Sequence, residues 1–300
     1  MDWGYLTKIM FGSKQLPENR VLIDPHAHFH RSLDPNEIVD ALFERNVSGQ
    51  AICDYGLANG NPEHVISYNE FVDRLKSEKD FEIIPSKGNT KIRRKNDNKR
   101  LILFQGREME TEVEGSSGGL FHNKHLMHIV VYGMTPDYNS AEEILKEAKA
   151  QHKHRIIAHP YTIPARNVEF VYASKEERDN VVRLSRKYGA ALEGLNGTNS
   201  LWMTPTNLMV VETARREKLN LVYASDAHAR LSLELTREQI GTAGTAVKRT
   251  NFNQIFESGG LNEIYRAMIN DGIVFGRVQS PRLFYKVMIR PRLENMLKRE

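Results

Sequence analysis

A single cysteine, Cys53, is present in 300 residues. One thiol cannot form an internal disulfide, which excludes the disulfide-stapled secreted scaffolds and fits a reducing compartment. It closes the segment Gln50-Ala51-Ile52-Cys53, where a buried thiol packs as a small hydrophobe rather than serving as a nucleophile. No apolar run approaches the ~20 residues that a bilayer span requires. The first residues, Met1-Asp2-Trp3-Gly4-Tyr5, have neither a basic stretch nor a long apolar core, so no signal peptide is expected and the expected location is the cytoplasm. Charge of one sign is not in large excess: 42 Lys+Arg against 38 Asp+Glu leave +4, with a pI near 9.0. That balance admits an anionic substrate without calling for nucleic acid or a membrane.

No repeat and no shift of composition divides the chain. With 40% hydrophobic residues it is expected to fold as one domain over 1–300, with its core between 20 and 280. Short apolar runs alternate with amphipathic segments. Strands are expected at Val21–Ile23, Gln50–Cys53, Phe81–Pro85, Leu101–Gln105, Leu126–Tyr132, Arg155–Ala158, Gly189–Leu192, Leu219–Ala224 and Ile273–Phe275. Helices are expected after Asp34-Pro35 and Asn61-Pro62, over Ser140–Gln151, near 175–187 and 205–217, and over Asn262–Asn270. In the second of these, Val65, Tyr68 or Asn69, Val72 and Leu75 recur at helical spacing. The alternation points to an α/β fold with a parallel sheet, open or closed into a barrel. The stretch 86–100 is a basic, apolar-poor insertion, expected to be a solvated loop or mobile hairpin. An arm that guides phosphodiester backbones is the alternative, but no aromatics are interleaved for base stacking.

Ligand-type side chains gather where these strands end. Asp24-Pro25-His26-Ala27-His28 follows the first strand, and in an extended backbone the two imidazoles point to the same side. Glu110 ends Gly106-Arg107-Glu108-Met109-Glu110, and His128 leads Ile129-Val130-Val131-Tyr132. His159 follows Ile156-Ile157-Ala158, and Asp226 and His228 follow Tyr223-Ala224-Ser225. Each histidine alone is more often structural than ligating. Imidazoles and carboxylates converging at the strand ends of an α/β fold form a bi- or trinuclear metal site. His128 is preferred to His125 because it leads directly into the apolar strand. Glu193 closes a strand and is weighed as an acid supporting the ligands. Arg31, Arg166 and Arg230 lie beside the ligand loops and are weighed as phosphate clamps.

These motifs, in this order from Val21 to Arg230, resemble the polymerase-and-histidinol-phosphatase (PHP) family. The resemblance implies a distorted (β/α)7 TIM-like barrel that cleaves phosphoesters with two or three divalent ions, usually zinc, manganese or iron. Carried over by position, His26, His28, Glu110 and Asp226 would hold one ion, and Glu110, His128 and His159 a second. His228 would serve a third ion or act on the substrate, and His228 and Glu110 are the catalytic candidates. In the family a Thr-Asp-His follows the second strand, whereas this chain reads Cys53-Asp54-Tyr55. A phenol with an ordinary pKa near ~10 is a poorer ligand at neutral pH, so Tyr55 leaves the third ion open.

The expected reaction is attack of a metal-activated hydroxide on phosphorus, with His228 protonating the leaving group or orienting the substrate. The substrate would be a phosphorylated small molecule, a nucleotide or an oligonucleotide. The basic insertion and the cationic C-terminal segment (Arg277, Arg282, Lys286, Arg290, Arg292, Lys298 and Arg299) favour nucleotide-like ones. Two rivals stand beside it. An amidohydrolase-type enzyme also begins with His-x-His, but uses a lysine where this chain offers Glu110. A non-catalytic barrel that binds metal or nucleic acid has only Tyr55 in its favour.

Overall fold

The computed structural model describes residues 15–56, 64–75, 80–86, 88–112, 126–133, 140–165, 168–198, 204–229 and 233–278. Its strands are β1 (Arg20–Asp24), β2 (Ala27–Phe29), β3 (Val47–Tyr55), β4 (Phe81–Ser86), β5 (Asn89–Arg94), β6 (Arg100–Glu112), β7 (Leu126–Tyr132), β8 (Arg155–Ala158), β9 (Thr162–Ala165), β10 (Val168–Tyr172), β11 (Ala191–Asn196), β12 (Leu221–Ala224), β13 (Ala227–Ala229), β14 (Ala243–Lys248) and β15 (Ile273–Gly276). Its helices are α1 (Pro35–Glu44), α2 (Tyr68–Arg74), α3 (Ala141–Ala150), α4 (Lys175–Tyr188), α5 (Thr204–Glu217), α6 (Leu233–Gln239), α7 (Arg249–Ser258) and α8 (Leu261–Asp271).

The helix starts follow local chemistry. Asp34 caps α1 by accepting the Asn36 N–H, with Pro35 in the first turn. Ser140 with Glu143 and Ser174 with Glu177 form reciprocal capping boxes on α3 and α4. Gly189 ends α4 at φ 67°, a left-handed position that favours glycine. The proposed helix after Asn61-Pro62 begins later than its spacing implied. Asn61 and Pro62 lie outside the described residues, Val65 forms a β-bridge to His30, and Ser67 caps α2.

The main sheet runs β12-β11-β8-β7-β6-β3-β1-β14-β15 and carries β5 and β4 as a branch. It curls until its ends nearly meet. There the Thr245 hydroxyl accepts the Tyr223 N–H and donates to the Tyr223 carbonyl, both at 2.9 Å. The barrel is mixed rather than parallel: β7 runs against both β6 and β8, and β14 against β1. Strand β6 is longer than its apolar run because its first half pairs with β5 and its second half with β7. Of the two forms expected for the basic insertion, the hairpin is the one present: Asn89–Arg94 is a strand paired with β4 on one side and β6 on the other. Its arginines are engaged: Arg93 and Arg100 reach Glu257 and lie over the Phe256 ring, and Arg94 pairs with Asp97.

Val21, Ile23, Ala51, Cys53, Ile102, Phe104, Val130, Tyr132, Ile156 and Val222 form one core, shared with Phe252 and Phe256 of α7 and Ile264 and Met268 of α8. The opposite sheet faces pack on the flanking helices, Leu101 and Leu103 with Ile38 and Phe71, and Ile129 and Ile157 with Leu145 and Leu184. Along β6 the core residues are Ile102 and Phe104, and by the two-residue repeat Gly106, Glu108 and Glu110 continue the same face. The α7 end of the barrel is therefore closed by apolar side chains, and the other end is left for polar ones.

Candidate metal centre

The polar end is built around Glu108. The backbone breaks between β1 and β2 at Pro25, whose carbonyl accepts the Tyr132 hydroxyl at 2.7 Å. This break turns His26 inward while His28 sits in β2. Strand β2 pairs in parallel with β13, so that His28 lies opposite His228, and the Asp226 N–H donates to the His26 carbonyl at 2.9 Å. Asp24 is buried beneath them, where it accepts the Ser225 N–H at 3.0 Å and the Ser225 hydroxyl. Burial pushes its carboxyl up to about 6 against those hydrogen bonds.

His26 and His28 are both buried and bring their Nε2 atoms to 3.0 Å. His28 Nδ1 donates to the Cys53 carbonyl at 3.1 Å, and His26 Nδ1 donates to Glu193 Oε1 at 3.1 Å. A carbonyl and a carboxylate only accept, so both Nδ1 atoms carry hydrogen and each Nε2 turns toward the centre. Glu108 Oε2 lies 3.2 Å from His28 Nε2, and Oε1 lies 2.8 Å from His128 Nδ1, 3.4 Å from His26 Nε2 and 3.7 Å from His159 Nε2. One buried carboxylate thus stands between two groups of histidines, His26 with His28 and His128 with His159.

Among the described residues, three sets of donors have all their ligand atoms within 4.8 Å of one another: His26, His28 and Glu108; Glu108, His128 and His159; His28, Asp226 and His228. Their chemistry suits a divalent cation. Asp226 Oδ2 accepts the Asn196 side-chain amide at 2.9 Å, whereas the buried Oδ1 accepts no hydrogen bond and lies 3.5 Å from His26 Nε2. Desolvation opposes a charged His26, but Asp226 and Glu108 together hold its pKa well above the ordinary value. His128 is carried up to about 10 in the same way, burial being outweighed by Glu108. Protons therefore take the places where positive charge is favoured, and mixed imidazole and carboxylate donors suit a divalent cation.

From the sequence the shared carboxylate is expected at Glu110, whereas Glu108 is the one that lies among both histidine groups. Both project from the same face of β6, but Glu110 is one pleat further out. It stands opposite His128 in the β6–β7 register and lies 3.4 Å from His128 Nε2. His128 does not follow its strand. It lies near the start of β7, which runs against its neighbours, and so reaches the same rim. His125 falls outside the described residues, as do Arg166 and Arg230. Arg31 pairs with Glu70 at 2.8 Å.

The supporting residues were the harder ones to read. Buried Glu193 accepts from His26 with one oxygen and, with the other, from the His159 N–H at 2.8 Å and the Asn196 amide at 2.9 Å. His159 and Asp226 sit at φ 27° and 48°, left-handed values that non-glycine residues adopt at a cost of about 1–3 kcal/mol. Glu193 holds the His159 backbone and Asn196 the Asp226 side chain. Tyr55 stacks on the His28 ring at 4.3 Å, and its hydroxyl meets His228 Nε2 at 2.9 Å. As the sole signal in the sequence for these supports, Glu193 stood at a strand end, and nothing there pointed to Asn196.

Neither a family model nor a curated protein matches the sequence. Among solved structures, the chain is similar to a two-domain protein from Bacteroides vulgatus containing a predicted PHP-like metal-dependent phosphoesterase. The TM-score is 0.52 at 13% identity, covering 91% of this chain and 72% of that one. It is also similar to the lesion-specific endonuclease EndoQ from Pyrococcus furiosus, with a TM-score of 0.42 at 16% identity, over 81% of this chain and 56% of that one. No helix among the described residues is long and apolar enough to cross a membrane. The fold of this chain is the PHP-type barrel.

Proposed function

We propose that the chain is a metal-dependent phosphoesterase of the PHP type. The observation that carries this reading is Glu108, a buried carboxylate standing between two histidine groups, His26 with His28 and His128 with His159, each ring presenting nitrogen to it. His26, His28, Glu108 and Asp226 would hold one divalent ion, and Glu108, His128 and His159 a second. Bound there, the ions would supply Lewis acidity and a water of lowered pKa. Glu193 sets the orientation of His26 and the backbone of His159, and Asn196 fixes Asp226. Glu110, half-buried beside His128, stands where it can take a proton from an attacking water. The cluster contains no lysine among the described residues, which separates it from the amidohydrolase pattern.

The substrate class is a phosphomonoester or phosphodiester, small or nucleotide-like. The arginines of the insertion support no guiding arm. Arg100 begins β6 and Glu108 lies eight residues along it, roughly 26 Å away at strand rise. The test is to load the purified protein with zinc or manganese and screen p-nitrophenyl phosphate and bis-p-nitrophenyl phosphate beside a panel of lactones and amides. Phosphoester turnover that disappears in Glu108→Gln is expected. Turnover confined to lactones or amides, or metal binding with no turnover at all, would overturn the reading.

A further inference from the structure

The third donor set, His28, Asp226 and His228, differs from the other two because one of its ligand atoms is already used by the protein. His228 Nδ1 lies 2.8 Å from the Asp226 carbonyl oxygen. A carbonyl accepts only, so Nδ1 carries the hydrogen and Nε2 is left as an acceptor. The Tyr55 hydroxyl, 2.9 Å from that Nε2, is then the donor. The ring nitrogen that would face a cation is thereby capped by an O–H.

The cap is held in place from three directions. Tyr55 ends β3 opposite Glu108 in the parallel β3–β6 register, so its backbone is fixed to the centre of the site. Its ring lies flat on His28, with the planes 8° apart. His228 is fixed in turn by its own N–H, which donates to Gln239 Oε1 at 2.7 Å. The remaining members of this set are also committed elsewhere. His28 has only Nε2 to offer, because Nδ1 is bound to Cys53, and that Nε2 belongs equally to the set with His26 and Glu108. Asp226 gives Oδ2 to Asn196, and its Oδ1 lies 3.5 Å from both His26 Nε2 and the hydrogen-bearing Nδ1 of His228, and 3.8 Å from His28 Nε2.

We propose that the Tyr55 hydroxyl closes His228 Nε2 to metal, so that this chain holds two divalent ions and not three. Tyr55 is in this sense a positioning residue: it decides the stoichiometry of the centre by occupying a ligand atom. The inference rests on the metal-centre reading above.

The test is a count of bound zinc per chain by elemental analysis after saturation with zinc and removal of the excess. It is made on the wild type, on Tyr55→Phe, and on Tyr55→Phe combined with His228→Gln. Phenylalanine keeps the ring against His28 and removes only the donor. Two ions in the wild type, three in Tyr55→Phe and two again in the double variant are expected. Nitrogen-15 shifts of the metal-free wild type should show His228 with hydrogen on Nδ1 and a hydrogen-bonded Nε2, a signature that Tyr55→Phe loses. Three ions in the wild type, or two in both the wild type and Tyr55→Phe, would overturn the proposal while leaving the metal centre intact. No stoichiometric zinc in the wild type would instead remove the metal-centre reading, and the proposal with it.

Discussion

Glu193 and His26 meet at 3.1 Å, carboxylate to Nδ1, with neither side chain exposed to water. The contact fixes which nitrogen of His26 faces the centre. The other Glu193 oxygen accepts the His159 N–H and the Asn196 amide, so one carboxylate supports ligands on two loops. Replacing it with glutamine keeps an acceptor for His26 but sets an NH₂ group against two donors. Glu193→Gln is expected to weaken metal binding by about 10–100-fold, the usual cost of losing a partner of a ligating histidine. Competition against a chelator of known affinity measures this, and unchanged affinity would show that Glu193 does not orient the ligands.

Glu108 and Glu110 make a sharper pair because they differ only in depth along one strand face. Glu108 is buried between the histidine groups. Burial works against its ionised form, but His128 and His26 hold its pKa well below the usual carboxylate range. Glu108→Gln should lose metal affinity by more than about 100-fold, beyond the range seen for supporting partners, and activity with it. Glu110→Gln should retain both ions and lower turnover alone. Isothermal titration with zinc beside phosphoester assays separates the two. Loss of metal in Glu110→Gln with retention in Glu108→Gln would return the shared role to Glu110.

The same pair shows how far the sequence can be read. The histidine and aspartate positions were visible because each follows or leads an apolar run, and runs of that kind become strands whose ends converge. The carboxylate was ambiguous because the apolar run stops at Gln105 while β6 continues to Glu112. That continuation is fixed by pairing with β7, a contact remote in sequence, and two-residue periodicity places 108 and 110 on one face alike. The reversed direction of β7 was invisible for a related reason, since a strand's apolar pattern carries no sign. Strand β14 and helix α7, which close the barrel, were likewise missed. Ala243–Lys248 has mostly small side chains that fill the tight edge where Thr245 meets Tyr223, and Thr245 and Val247 are too few branched residues among alanine and glycine to announce a strand.

Inside the barrel, Cys53 faces Gly106 across the β3–β6 pair. A β-carbon at position 106 would stand 2.5 Å from Cys53 Sγ, closer than packing allows. Gly106→Ala should therefore destabilise the fold by about 1–3 kcal/mol, as overpacking does, and shift the urea midpoint without changing the slope. Adding Cys53→Ala removes the sulfur and should recover part of the loss, giving a non-additive cycle. Burial also pushes the Cys53 thiol up to about 12, so native protein at neutral pH should resist iodoacetamide that labels the unfolded chain. Additive effects together with rapid native labelling would contradict this packing.

On the outer surface, Glu142 of α3 joins α4 through three donors, Lys187 at 2.5 Å, Tyr188 at 2.7 Å and Arg183 at 3.2 Å. Lys187 first, then Tyr188 and Arg183, hold its carboxyl down at about 2, against an ordinary 4.5. A pKa lowered by folding means that the unfolded chain binds the proton more readily. The stabilisation is then complete above 4.5 and disappears as the pH falls toward 2. The group is exposed, so salt screens it as well. Glu142→Gln should be less stable than the wild type at pH 7, and the gap should narrow steadily between pH 5 and 2. At pH 7 the gap should also shrink in 0.5–1 M salt, where the Debye length falls to a few Å (about 3 Å at 1 M). Urea unfolding of both proteins across this range measures the effect. A gap that stays constant with pH would mean that Glu142 acts through its shape and not its charge.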